Sequence, residues 1–375
     1  MTAMRLILSL VLIAATMSSS VQSRPRARDL GITPGALQPG PNNAITDVEG
    51  VRVGHTTIVD GDNIRTGVTA VLPHGGNLFK EKVAGAVFVG NAFGKLAGST
   101  QVQELGTIES PIVLTNTLSV GTALEATVRR TIAQTGNEDV RSVNALVGET
   151  NDGGLNDIRG LHVTRDHVMA AITSAKTGMV EEGAVGAGTG TVAFGWKGGI
   201  GTSSRTVRQG QATYTVGALV QSNFGGKLTI AGVPVWKELS PRIRIAAPLA
   251  SDADGSCMII VATDAPLDAR DLQRLAARAI FAMARTGSTY SNGSGDFAIA
   301  FSTHPSLRVT GGSAPQQKTV LPTDAVSGLF EAALDATEEA IYNSLLKATD
   351  TTVSGRTIRA IPTDELRGIL KKYGR

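Results

Sequence analysis

The sequence holds one cysteine, Cys257, among 375 residues. An internal disulfide is therefore excluded, and a chain of this length needs none, because it can bury a core large enough to hold its fold. Cys257 reads as a small apolar residue at the start of a buried strand, with a nucleophilic role as the alternative. Aromatic residues make up only 4%. An interior rich in Gly and Ala and poor in rings suits closely stacked layers of secondary structure, and the 44 glycines follow no strict period, which excludes collagen. Basic runs, zinc-finger spacings and RNA-binding signatures are missing although the net charge is +3, so no nucleic acid is expected as a partner. The histidines (His55, His74, His162, His167 and His304) form no H-E-x-x-H pattern, and the sequence advertises no convergent set of zinc ligands. No serine has glycine at both flanking second positions, so the nucleophile elbow of the α/β-hydrolases is missing too. The Gly-rich stretch 183–205 fits neither G-x-G-x-x-G nor a Gly-Lys-Ser/Thr loop, and it reads as tight turns between closely packed strands.

Long apolar runs are confined to the N-terminus. Arg5 precedes the apolar run 6–15, and the small and polar stretch 16–23 follows. This is the pattern of a secretory signal peptide, too short for a permanent anchor, which needs about 20 apolar residues. The expectation is a single domain over 24–375, exported to a bacterial periplasm and free of the membrane once residues 1–23 are removed.

The remaining composition, 42% hydrophobic and 18% charged, is that of a globular chain. Strands are expected at 51–55, 67–72, 83–89, 112–115, 143–147 and 213–222, and helices at 122–134 and 165–177. A polar loop is expected at 148–157 and an exposed connector at 236–255. Beyond the connector the pattern sharpens. The run 258–262 reads as a buried strand, 268–285 as an amphipathic helix, 297–301 as a second strand, 323–347 as a long helix and 363–372 as a short one. Strands and helices mix along the whole chain and no linker divides it, which points to one α/β domain of strand layers covered by helices.

The segment Asp254-Gly255-Ser256-Cys257-Met258 joins the exposed connector to a buried strand. A serine hydroxyl is a weak nucleophile at neutral pH and needs a neighbouring base. One solution is to cleave the chain just before the serine, so that the new α-amine, with a pKa near about 8, lies beside Oγ. Gly255 suits that chemistry because it leaves the preceding carbonyl unhindered. By itself Gly-Ser is too common to carry weight.

Longer motifs surround it. Asn43-Ala44-Ile45-Thr46-Asp47-Val48, Val51-Arg52-Val53-Gly54-His55, Gly148-Glu149-Thr150-Asn151-Asp152, Val220-Gln221-Ser222-Asn223-Phe224-Gly225, Val261-Ala262-Thr263-Asp264-Ala265-Pro266, Ala284-Arg285-Thr286-Gly287, Ser294-Gly295-Asp296 and Ala300-Phe301-Ser302-Thr303 occur in order. Together they make the chain resemble the L-aminopeptidase/D-esterases and β-peptidyl aminopeptidases over essentially all of its mature length. The resemblance implies a four-layer αββα sandwich, like the N-terminal nucleophile hydrolases in layout but with different connectivity. It implies self-cleavage between Gly255 and Ser256, giving a large subunit 24–255 and a small subunit 256–375 that assemble as a tetramer of heterodimers. Ser256 would be the nucleophile, Ser294 its hydrogen-bonding partner, and Asp296 the acid that orients it or tunes the proton relay. Asn223 would serve the oxyanion and Glu149 would receive the substrate's amine, without metal or organic cofactor.

The activity so implied is release of N-terminal residues from short peptides, amides or esters through an acyl-enzyme, with β-residues such as β-alanine favoured. Action on α- or D-amino N-termini is the first alternative. An acyltransferase of the self-cleaving ornithine acetyltransferase type is the second, although that family uses threonine where Ser256 stands. A non-catalytic periplasmic protein would be expected to have lost one of these positions, and all are filled.

Overall fold

The computed structural model describes residues 24–241 and 255–375. The expected signal peptide and residues 242–254 of the expected connector lie outside them. In chain order the strands and helices are β1 (Arg52–Asp60), β2 (Ile64–Leu72), β3 (Val83–Ala92), β4 (Leu96–Ala97), α1 (Ser99–Leu105), β5 (Thr107–Ile108), β6 (Ile112–Asn116), α2 (Val120–Ile132), β7 (Leu146–Thr150) and α3 (Arg165–Thr173). There follow β8 (Val192–Ala193), β9 (Trp196–Lys197), β10 (Gly199–Gln209), β11 (Ala212–Asn223), α4 (Val235–Glu238), β12 (Ser256–Thr263), α5 (Ala269–Thr286), β13 (Gly295–Ser302), α6 (Ser327–Leu346), β14 (Thr351–Val353), β15 (Arg356–Ile358) and α7 (Thr363–Lys372).

Two sheets stack face to face. The first has the order β1-β2-β6-β7-β4 and the second β10-β11-β12-β13-β3-β5. Side chains alternate across each strand, so each sheet has two apolar faces to cover. In β12, Met258, Ile260 and Ala262 enter the core between the sheets with Leu114, Leu146, Leu219 and Phe301. Cys257, Ile259 and Val261 point the other way, into a core shared with α5 and α6. On the outer face of the first sheet, Val68, Ala70, Val113 and Val147 pack on α2 and α3. The layers are thus helix, sheet, sheet, helix, the αββα sandwich the resemblance implied.

Local chemistry explains the best-defined elements. The Asp268 carboxylate caps α5 by accepting from the Asp271 N–H at 3.0 Å, and Gly287 ends the helix with φ 99°. Helix α5 supplies the long crossover that the parallel pair β12–β13 requires.

Three expectations need correction. The strand expected at 143–147 lies further on, at Leu146–Thr150, so Glu149 belongs to a buried strand and not to a polar loop. The stretch 183–205 is not turns alone, because eleven-residue β10 starts at Gly199. Its Gly and Ser residues let α6 lie close, and the Ser203 hydroxyl donates to the Ala336 carbonyl at 2.7 Å. The helix expected from 323 begins at Ser327, after a separate 3₁₀ turn at Thr323–Ala325.

Candidate active site

Three strand ends of the second sheet meet at one point. Ser256 opens β12, Asn223 closes antiparallel β11 directly opposite it, and Gly295 opens β13 on its other side. The sheet order that puts the chain's apolar strands in its middle therefore also brings these three residues together. The end of β7 from the first sheet lies against the same point. There the Gln221 carboxamide donates to Thr150 Oγ1 at 2.8 Å and to the Ala187 carbonyl at 2.9 Å, bridging the layers. A cleft of about 1190 Å³ opens over the junction, with Ser256, Asn223, Glu149 and Gly255 all on its wall.

Ser256 is 5% exposed. The Gly295 N–H is shared between Ser256 Oγ, at 3.4 Å, and the Gly255 carbonyl, at 3.1 Å. The carbonyl of the peptide bond that would be cleaved is thus already polarised by a backbone donor. Residue 255 has to be glycine for steric reasons: a Cβ there would lie 2.2 Å from the Asn223 carbonyl oxygen and 2.6 Å from Phe224 Cα.

Asn223 is held at both ends of its carboxamide. Oδ1 accepts from the Val192 N–H at 2.9 Å, and Nδ2 donates to the Asn151 carbonyl at 3.0 Å. These partners fix which end is nitrogen and leave one Nδ2 hydrogen for an incoming oxygen.

The structure brings Ser294 and Asp296 to each other. The Ser294 hydroxyl donates to Asp296 Oδ1 at 2.8 Å, whereas the donor that reaches Ser256 Oγ is the Gly295 N–H. Strand alternation puts Asp296 beside Cys257, so its carboxylate faces the backbone that follows Ser256. Asp296 is fully buried and its Oδ2 has no hydrogen-bond partner. Burial pushes its carboxyl up to about 6, opposed by the Ser294 hydroxyl and the Cys257 N–H. Cys257 is itself buried in the helix-side core, and that burial, with Asp296 nearby, raises its thiol well above the ordinary range. It is an inert core residue in this setting.

Glu149 is 2% exposed. One carboxylate oxygen accepts from the Lys95 N–H at 2.9 Å and the other from the Thr117 hydroxyl. A Cβ at Gly94 would lie 3.2 Å from both Glu149 Oε1 and Gly295 Cα, a tight contact that would crowd the carboxylate against the start of β13. The arrangement pairs a hydroxyl nucleophile and two oxyanion-type donors with a carboxylate able to select a cation, as hydrolysis of a bond near a free amine requires.

Several contributors had no clear signal in the sequence. Lys95 and Thr117 support Glu149 from segments that carry no motif of their own. Asn151 and Val192 hold Asn223 through backbone atoms, and the Gly295 N–H is likewise backbone.

Known proteins resemble this chain over most of its length. The pattern of peptidase family S58 matches residues 43–358. The chain is similar to beta-peptidyl aminopeptidase BapA of Sphingosinicella microcystinivorans, 45% identical over 377 residues that cover 94% of this chain and 93% of that one. It is similar in structure to a Burkholderia sp. beta-aminopeptidase, with 40% identity and a TM-score of 0.85 over 94% of this chain and 99% of that one. It is also similar to the L-aminopeptidase D-Ala-esterase/amidase of Ochrobactrum anthropi, described as a prototype for the serine aminopeptidases and a new variant among the Ntn hydrolase fold. There the identity is 38% and the TM-score 0.87, over 94% and 99% of the two chains. The chain therefore belongs to peptidase family S58.

Proposed function

We propose that this hydrolase, a serine aminopeptidase, cleaves itself between Gly255 and Ser256 and then removes N-terminal residues from short peptides, amides or esters, with β-residues such as β-alanine preferred. The observation that carries the reading is the convergence of Ser256, Asn223 and the Gly295 N–H at one end of the second sheet, with the buried Glu149 carboxylate on the same cleft wall. In the first step Ser256 Oγ attacks the Gly255 carbonyl, which the Gly295 N–H polarises. The Gly255–Ser256 C–N bond breaks as an ester to Oγ forms, water hydrolyses that ester to leave Gly255 as a carboxylate, and the freed α-amine of Ser256 then serves as base for Oγ. Departure of the Gly255 carbonyl releases the Gly295 N–H, which joins Asn223 Nδ2 as a donor to the substrate's oxyanion. Glu149 takes the substrate's ammonium group, Ser294 and Asp296 hold the backbone around the nucleophile, and water releases the acyl group.

Preference for β-residues is supported by the beta-peptidyl name of the 45%-identical relative. The names of the relatives also speak against an acyltransferase. We further propose that the two fragments, 24–255 and 256–375, stay together as heterodimers in a tetramer, and that the protein works in the periplasm after loss of residues 1–23.

The test is a denaturing gel with intact-mass analysis. Wild type is expected as two fragments divided at Gly255/Ser256, and Ser256→Ala as one inactive chain. An intact wild-type chain, or a cleaved Ser256→Ala variant, would overturn self-processing at this residue. Hydrolysis of β-alanyl, L-alanyl and D-alanyl amides then ranks the N-terminal preference, and an L- or D-alanyl preference would replace the β-residue assignment.

A further inference from the structure

The amine-binding carboxylate has an unexpected neighbour. Lys95 Nζ lies 3.7 Å from Glu149 Oε1, and its side chain is 55% exposed on the cleft wall. At that distance it forms a loose ion pair, and Nζ makes no hydrogen bond to the described residues. Glu149 does not need it for support, because the Lys95 backbone N–H and the Thr117 hydroxyl already serve one oxygen each. For a substrate that brings only an ammonium group, Lys95 is a handicap: two like charges would crowd one carboxylate. The pair makes chemical sense for a substrate that brings both signs on adjacent atoms.

We propose that Glu149 and Lys95 together recognise an α-ammonium and α-carboxylate carried on the same carbon, so that the enzyme hydrolyses β-aspartyl amides and peptides, in which aspartate is joined through its side-chain carbonyl. This rests on the reading of Ser256 as nucleophile and Glu149 as amine site. A β-aspartyl residue is a β-amino acid whose substituent on the amine-bearing carbon is a carboxylate. Its attacked carbonyl stands two bonds from that carbon, as in β-alanine. Placing the ammonium on Glu149 therefore delivers the carboxylate to the cation beside it, and the reacting carbonyl keeps its place at Ser256. A γ-glutamyl group, one methylene longer, carries the same headgroup but moves the carbonyl out of that register.

The reaction is ordinary acyl transfer. The Oγ–C bond forms as the C–N bond to the leaving amine breaks. The hydroxyl proton passes through the Ser256 α-amine to the leaving nitrogen. Water then cleaves the ester, releasing aspartate and regenerating the hydroxyl. The Lys95 ammonium does none of this chemistry and acts only on the headgroup, so its effect belongs in substrate discrimination.

The experiment uses the self-processed full-length enzyme and three anilides: β-aspartyl with a free α-carboxylate, the same compound with an α-carboxamide, and β-alanyl. Wild type is expected to favour the carboxylate over the carboxamide in kcat/KM by about 10- to 100-fold, the size of a charge-assisted hydrogen bond. Lys95→Gln should collapse that ratio toward one, and Lys95→Arg should restore most of it. A wild-type ratio of one or below, or a ratio that Lys95→Gln leaves intact, overturns the proposal. The β-alanyl anilide separates the two levels. If it is hydrolysed while the free carboxylate is not preferred, the zwitterion site falls and the aminopeptidase reading stands. If no anilide is hydrolysed, both fall.

Discussion

Two buried carboxylates of this domain are served in opposite ways. Glu339, on the face of α6 that meets β10, is fully buried with every partner it could want. One or both of its oxygens accept from Arg205 at 2.7 Å, Arg28 at 3.1 Å and the Asn43 carboxamide at 2.5 Å. Asp296, equally buried at the start of β13, has the Ser294 hydroxyl and the Cys257 N–H, an orphaned oxygen and, among the described residues, no ion-pair partner. A buried charge is tolerated when it is paired and hydrogen-bonded and is expensive otherwise. Glu339 thus behaves as a fixed counter-ion that ties the N-terminal arm, β10 and α6 together. Asp296 is left able to change its protonation state near neutrality. Of these two carboxylates, the structural one is over-determined and the one at the candidate site is left incomplete.

The largest expected effect breaks the first half of that contrast. Arg205→Ala removes the fully buried guanidinium partner of Glu339, and removing one partner of a buried pair costs about 3–5 kcal/mol. Denaturant unfolding should show that loss. The fraction that remains folded should still divide at Gly255/Ser256, because no atom of the Arg205 cluster touches the strand ends that carry the site. Loss of processing in folded Arg205→Ala would mean that the two clusters are coupled. Next comes Asn223→Ala. Deleting an oxyanion donor lowers kcat by about 10²–10³. It also leaves the Val192 N–H and the Asn151 carbonyl without their side-chain partner, so a smaller stability loss of about 1–3 kcal/mol should accompany it. Steady-state kinetics beside an unfolding curve separates the two. A stability loss with unchanged kcat would reduce Asn223 to a strut between β7 and the 188–198 loop.

What could be read from the sequence divides along the same line. Strand β12, helix α5 and strand β13 were legible because apolar periodicity and a capping aspartate state their partners locally. Strand β10 was not, because Gly199–Gln209 owes its extended form to α6 lying over small residues and to an ion pair between Arg205 and Glu339, far apart in the chain. Glu149 was expected as a site residue and misplaced as a loop residue. Its neighbours Gly148 and Thr150 are small or polar, and only the fold supplies the Thr117 hydroxyl, the Lys95 N–H and the Gln221 carboxamide that let Glu149 and Thr150 be buried in a strand. The nucleophile and its flanking positions came from the resemblance, and the backbone donor from Gly295 came from neither source, since an N–H has no identity in a sequence.

The subtlest prediction sharpens the second half of the contrast. Burial raises the folded-state pKa of Asp296 to about 6, above its value in the unfolded chain. Between about pH 4 and 6 the folded protein therefore holds a proton that the unfolded chain has released, so this group's contribution to stability falls as pH rises through that window. If the ionised carboxylate is the form that holds Ser294 and the backbone at Cys257, activity must rise across the same interval. Wild-type kcat should show an acid limb centred near 6, and Asp296→Asn should lose that limb and run about tenfold slower at pH 8, with a flatter dependence of stability on pH between about 4 and 6. Glu339→Gln supplies the contrast: its carboxylate is held by two guanidinium groups, so that substitution should weaken the fold and leave the acid limb where it was. A limb that survives in Asp296→Asn would move the titration to another group, and the free α-amine of Ser256 would be the first to examine, because it too must lose a proton before Oγ can attack.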